Sequence, residues 1–198
     1  MSNNPTPIVN IGGPSGVGKT SVLRALLERI PSARRLVTTT SRQKRSNERD
    51  GVDYFFVTEK EFKERIAAGR LLEYYYFPQR QAYYGVEWQR LKDLLAQQVL
   101  ILSAIEVHGW RALRATYPEA LGIYLLPENE DQIRQQYLAR DPRMSPEALA
   151  ERLAASAAEL AEGKPEYVIH VVNAPNRLEK TIDEVYATIA KIFPQFVQ

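Results

Sequence analysis

The chain contains no cysteine. That excludes a disulfide framework, thiolate zinc sites, iron–sulfur clusters and a cysteine nucleophile together, and leaves the compartment unset by redox chemistry. Charge of one sign is lacking as well: 26 Lys and Arg against 24 Asp and Glu leave a formal net charge of +2. Net charge therefore supplies no pull toward nucleic acid or an anionic membrane, and any basic function is local. No run approaches the ~18 apolar residues of a membrane span. Met1 to Pro7 is polar and has no basic segment leading into an apolar one, so no secretory leader is expected. Internal repeats, heptad arrays and low-complexity linkers are absent too. The expectation is a cytoplasmic protein with neither nucleic acid nor membrane as partner.

What is present suits a globular enzyme. With 198 residues, 44% hydrophobic and 25% charged, the chain is about one domain long and can bury a sizeable core. Ile8 to Ile11 is a short β-rich run that breaks into glycines, and the apolar spacing of Val22, Leu23, Leu26, Leu27 and Ile30 then predicts a helix. Further strand signals fall at 99–105, 121–126 and 167–172, with amphipathic segments at 110–117, 130–140 and 177–193. Strands alternating with helices predict an α/β fold, a mostly parallel sheet covered on both faces.

Two stretches interrupt that rhythm. From Leu36 to about Gly85 the chain is polar, then β-rich and tyrosine-dense, with strands expected at 54–57 and 71–77 around a helix at 59–68. Helical patterns within 127–162 flank the breaker run Asp141-Pro142-Arg143-Met144-Ser145-Pro146, where Ser145 is placed to cap the following helix.

Gly13-Pro14-Ser15-Gly16-Val17-Gly18-Lys19-Thr20 fits G-x-x-x-x-G-K-[ST] between a predicted strand and a predicted helix. In that context the backbone N–H groups turn toward one concavity, and the helix N-terminus adds positive potential for phosphate. Lys19 is expected to reach the β/γ-phosphates of ATP and Thr20 to place its hydroxyl on Mg²⁺. The motif alone fits other nucleotide-hydrolysing proteins as well.

Thr38-Thr39-Thr40-Ser41-Arg42-Gln43-Lys44-Arg45 sets two arginines just past a strand candidate, followed by Asp53-Tyr54. By itself this is either a solvated basic loop or an anion site. Read with the phosphate loop, the segment resembles the acceptor loop of the guanylate kinase family, and the likeness continues at Leu71-Leu72-Glu73 and Tyr83-Tyr84-Gly85. It spans Ile8 to Ile192 in the family's motif order.

The resemblance implies a P-loop kinase fold in three parts: a core over 8–36, 87–127 and 163–198, an acceptor-binding subdomain over about 37–86, and a helical lid over about 128–162. It implies phosphorylation of GMP or dGMP by ATP with Mg²⁺. Arg42, Arg45, Tyr54 and Tyr84 would hold the acceptor phosphate, and Glu73 with Thr38 would read guanine, a carboxylate accepting from N1–H and the 2-amino group. Glu106 would face the base or order the Mg²⁺ waters. Arg140 and Arg152 match lid arginines that act with Lys19 and Arg42 in catalysis, and Asn173 matches an asparagine near the donor adenine.

Four departures separate the chain from the family pattern. Val86 stands for Ser or Thr after Tyr-Tyr-Gly, Ala104 for Asp and Gln136 for Arg, and two residues are inserted between Phe77 and Tyr83. The valine removes a hydroxyl expected to meet guanine O6. Two alternatives follow: a kinase of a related acceptor, such as ribose 1,5-bisphosphate or an altered-base nucleotide, and a non-catalytic phosphopeptide-binding module. Oligomeric state and the role of Phe193 to Gln198 are not readable from the sequence.

Overall fold

A computed structural model describes residues 6–46 and 48–197 of the chain. The first strand, β1 (Ile8–Gly12), is buried along its whole length, as a strand covered on both faces must be. It leads through the glycine loop into α1 (Lys19–Arg29), then β2 (Ala33–Arg35). Next come β3 (Thr39–Thr40), β4 (Phe55–Phe56), α2 (Glu59–Ala67), β5 (Leu71–Phe77), β6 (Ala82–Glu87) and α3 (Trp88–Ala96). The chain continues through β7 (Leu100–Ser103), α4 (Val107–Thr116), β8 (Leu121–Leu126), α5 (Glu130–Arg140), α6 (Pro146–Gly163), β9 (Ile169–Val172) and α7 (Leu178–Ile192).

Five strands form a parallel sheet in the order β2-β7-β1-β8-β9. Strand order reverses around β1, and in open parallel sheets such a switch point opens a crevice at the carboxyl ends of the strands. One apolar layer joins Val22, Leu26, Leu102, Ile123, Leu149, Val185 and Ile189 on one face. The other joins Ile8, Leu91, Ile101, Trp110, Leu113 and Tyr124. Helices cover both faces, as the sequence predicts.

A second sheet, ordered β4-β3-β6-β5, is built from the segment that broke the alternation. β5 and β6 form an antiparallel hairpin whose register shifts between Leu71 and Glu73. Such irregularities re-aim side chains beside sites. The tyrosine run Tyr74, Tyr75 and Tyr76 is not core: all three are exposed on this hairpin. Helix ends follow the local code. Thr58 and Glu61 make a reciprocal capping box on α2, Asn129 caps α5, and Ser145 accepts from the Ala148 N–H to start α6.

Candidate functional site

At the end of β1 the backbone enters conformations that only glycine holds easily. Gly18 has φ +100, and a Cβ there would lie 2.5 Å from the Asn173 amide nitrogen. Asn173 follows β9, is nearly buried, and donates from Nδ2 to the Val17 carbonyl at 2.7 Å, while its Oδ1 is left without a partner. Gln132 of α5 in turn donates to the Asn173 carbonyl at 2.6 Å. The loop is thus braced from below by two other elements. Lys19 Nζ donates to the carbonyls of Gly13 (2.6 Å) and Pro14 (3.1 Å), arching over the loop, and Thr20 opens the first turn of α1 with an exposed side chain.

Helix α6 closes against this loop. The Ser15 N–H donates to Glu159 Oε2 at 2.6 Å, and Ser156 Oγ donates to the Ser15 carbonyl at 3.3 Å. A carboxylate therefore accepts from a phosphate-loop amide, as a phosphate oxygen would. Burial and the nearby charge of Glu106 push the Glu159 carboxyl up.

The acceptor side lies between the two sheets. Thr38, Tyr54, Glu73, Tyr84, Ala104 and Glu106 line one cleft, together with Tyr75, Phe77, His108 and Gly109. The cleft leaves about 30 Å³ free, room for about a single water. Two of its lining residues, Tyr75 and His108, stack with ring centroids 3.9 Å apart. Burial pushes the Glu73 carboxyl up to about 7. Its Oε1 lies 2.8 Å from where a Cβ on Gly109 would stand, so only glycine there admits the carboxylate.

Arg42 donates from Nε to the Tyr84 hydroxyl at 3.1 Å and from Nη2 to Glu48 at 2.7 Å. Tyr54 packs edge-on to Tyr84, centroids 5.8 Å apart, and burial pushes its phenol up to about 12, keeping it a donor at neutral pH. Arg45 is more open, with Glu48 at 4.0 Å. The sequence-predicted phosphate group of Arg42, Tyr54 and Tyr84 is thus brought together, with Arg45 at its exposed edge.

Other expectations land differently. Val86 is fully buried in the second apolar layer and does not line the cleft, so the position expected to meet guanine O6 packs into the core instead. Arg140 ends α5 and is exposed; Arg152 is exposed and lies over the Tyr137 ring at 5.6 Å. From α5 the phosphate loop is met by Gln136, one turn before Arg140: its Cβ lies 3.9 Å from where a Cβ on Gly16 would stand.

Sequence reasoning missed four residues. Glu48 and Glu159 are acids inside helical or basic stretches, and a charge pattern does not reveal a distant partner. Arg80 sits in the inserted turn. Asn10, fully buried, accepts from Ser103 Oγ and the Ile105 N–H, both at 2.9 Å, and so orders the strand end that carries Glu106. A lone polar residue within an all-apolar strand was its available signal.

Residues 4–192 match the family model described as guanylate kinase. A guanylate kinase of Thermosynechococcus vestitus is 40% identical over 178 residues, covering 90% of each chain. One from Symbiobacterium thermophilum is 39% identical, covering 85% of this chain and 80% of its own. Among solved structures, a guanylate kinase from Anaplasma phagocytophilum superposes with TM-score 0.76 at 23% identity, over 100% of this chain and 90% of that one, and supports the fold. With its phosphate loop, acceptor cleft and sheet order in the arrangement described above, the chain belongs to the guanylate kinase family.

Proposed function

We propose that this chain transfers the γ-phosphoryl group of ATP to GMP, yielding ADP and GDP. The observation that carries the reading is that two phosphate-competent groups are joined by contacts: the cleft lined by Tyr54, Glu73 and Tyr84, with Arg42 on the Tyr84 hydroxyl, also holds Glu106, which meets Arg80, and Arg80 meets Glu159 on the Ser15 N–H of the phosphate loop. Phosphoryl transfer needs positioning and charge neutralisation more than covalent chemistry.

In this reading the loop amides of 13–18 and Lys19 hold the ATP phosphates. Arg42, Arg45, Tyr54 and Tyr84 hold the acceptor phosphate, and Glu73 with Thr38 selects guanine. Glu106, which lines the cleft and meets Arg80, faces the base or orders the Mg²⁺ waters. Asn173 serves the ATP site by bracing the loop at Val17. Arg140 and Arg152 are the lid arginines of this reading. The hard oxygen of Thr20, exposed beside the loop, suits Mg²⁺, which binds through few protein ligands plus phosphate oxygens and would neutralise phosphate charge. The three-part division at 37–86 and 128–162 belongs to the same proposal, as does a cytoplasmic location. No helix among the described residues is long and apolar enough to cross a membrane.

A second reading, a related acceptor such as a sugar bisphosphate or an altered-base nucleotide, draws on Ala104 in the cleft and on Val86, which offers no hydroxyl. Against a phosphopeptide-binding module stands the intact Lys19-Thr20 pair. The test is ADP release from ATP·Mg²⁺ with GMP, dGMP, AMP, UMP and ribose 1,5-bisphosphate. Turnover with GMP and dGMP is expected, and silence with both alongside turnover of another acceptor would overturn the substrate. Lys19→Ala should lower kcat about a hundredfold or more.

A further inference from the structure

Arg80 lies in the turn between β5 and β6, within the stretch where two residues are inserted relative to the family pattern. Its guanidinium places Nη1 3.4 Å from Glu106 Oε1 and Nη2 3.3 Å from Glu159 Oε1, and it sits 4.8 Å from the Phe77 ring centroid and 5.6 Å from that of Tyr84. Glu159 passes its other oxygen to the Ser15 N–H. The line Glu106–Arg80–Glu159–Ser15 therefore runs from the acceptor cleft to the phosphate loop, with Arg80 midway.

The lid residue that meets the loop is not a cation. Gln136, the lid side chain beside Gly16, is neutral. Arg134 faces Glu130 and Asp131 at 3.9 Å, and Arg140 and Arg152 are exposed. Among the described residues, the basic side chains recorded at the loop are Lys19, directly, and Arg80, through Glu159.

From this placement, and resting on the kinase reading above, we propose that Arg80 is a catalytic residue that bridges the transferring phosphoryl group, supplying from the hairpin the charge that position 136 lacks. A phosphate oxygen accepting the Ser15 N–H takes the place of the Glu159 carboxylate, so Arg80 exchanges one anionic partner for another without becoming unpaired. The bond from the γ-phosphorus to the bridging oxygen of ATP breaks, and one from the same phosphorus to an acceptor-phosphate oxygen forms. Arg80 gains and loses no proton. Its planar fork, already held against two rings, spans both phosphates in a way a lysine could not.

The experiment compares kcat and both KM values for the unmutated chain, R80A, R80K and R80A/Q136R, using whichever acceptor the panel above shows to be turned over. R80A is expected to lose about a hundredfold or more in kcat, with smaller changes in KM and a melting temperature near that of the unmutated chain. R80K should recover little of the loss, and Q136R should recover part of it in the R80A background. An R80A kcat within about twofold of the unmutated chain, or a loss confined to KM, would make Arg80 a strut between Glu106 and Glu159 and overturn the proposal. If R80A does not fold, R80K decides alone: unchanged kcat overturns the proposal and a large fall supports it. Turnover of another acceptor in place of GMP fails the substrate reading only, whereas a chain inert to every acceptor fails both.

Discussion

At the residue scale the proposed selection of guanine turns on when Glu73 is charged. Its carboxyl is raised from an ordinary 4.5 to about 7 by burial, partly offset by the Val86 backbone N–H. Between those pH values the folded, acceptor-free protein keeps a proton that the unfolded chain has released. This group's contribution to stability is therefore greatest below the unfolded value and is lost as pH rises through about 7. Guanine needs the ionised form, so kcat/KM for GMP should climb with pH up to about 7 and level off above it. In E73Q that limb should disappear, leaving only the second ionisation of the phosphate ester, at ~6, and preference for GMP over AMP should fall about tenfold or more. Matching pH profiles and base preferences for the two proteins would remove Glu73 as the base reader. Val86 pairs with Glu73 across the hairpin and its backbone N–H holds the carboxyl back from a larger rise.

At the scale of elements, the phosphate loop is a strand-to-helix turn held in shape by pieces distant in sequence. Asn173, beyond β9, keeps the Val17 carbonyl turned away from the concavity. Asn173→Ala should cost about 1 kcal/mol in urea denaturation, a typical net value for one hydrogen bond, and should raise KM for ATP by loosening the loop. Asn173→Asp should be worse, because a carboxylate would then face that carbonyl. If Asn173→Ala leaves both quantities unchanged, the brace has no energetic role. The hairpin β5–β6 teaches the complementary lesson. Of its strands β5 was legible at 71–77, whereas β6, interrupted by Gly85, was not read as a strand, and the Thr58–Glu61 box on α2 emerged only with the fold.

Across the whole molecule, α6 and α5 already rest on the phosphate loop, and Glu159 occupies an amide that a phosphate would use. ATP binding is then an exchange of anions. Ligand at one hundred times its dissociation constant should stabilise the chain by about 2.7 kcal/mol, read as a rise in melting temperature with ATP·Mg²⁺. The rise should vanish in Lys19→Ala, and indifference of the unmutated chain to ATP would favour the binding-module alternative. With about 30 Å³ free, the cleft has no room for a purine as it stands, so acceptor binding is expected to displace side chains that line it.

The sequence by itself determined the nucleotide loop, the α/β rhythm and the Ser145 cap, because each is written in contiguous residues whose spacing carries its own physics. The three-residue β2 escaped it, since so short a run has no period, whereas the strand expected at 54–57 holds β4. Only the tertiary structure decided that Val86 packs into the core, that Glu48 meets Arg42 and Glu159 the Ser15 N–H, and that Arg80 joins Glu106 to Glu159. Those placements arise from contacts across the chain, Ser15 with Glu159 and Arg80 with both Glu106 and Glu159, and no local pattern encodes which distant partner a charged side chain will meet.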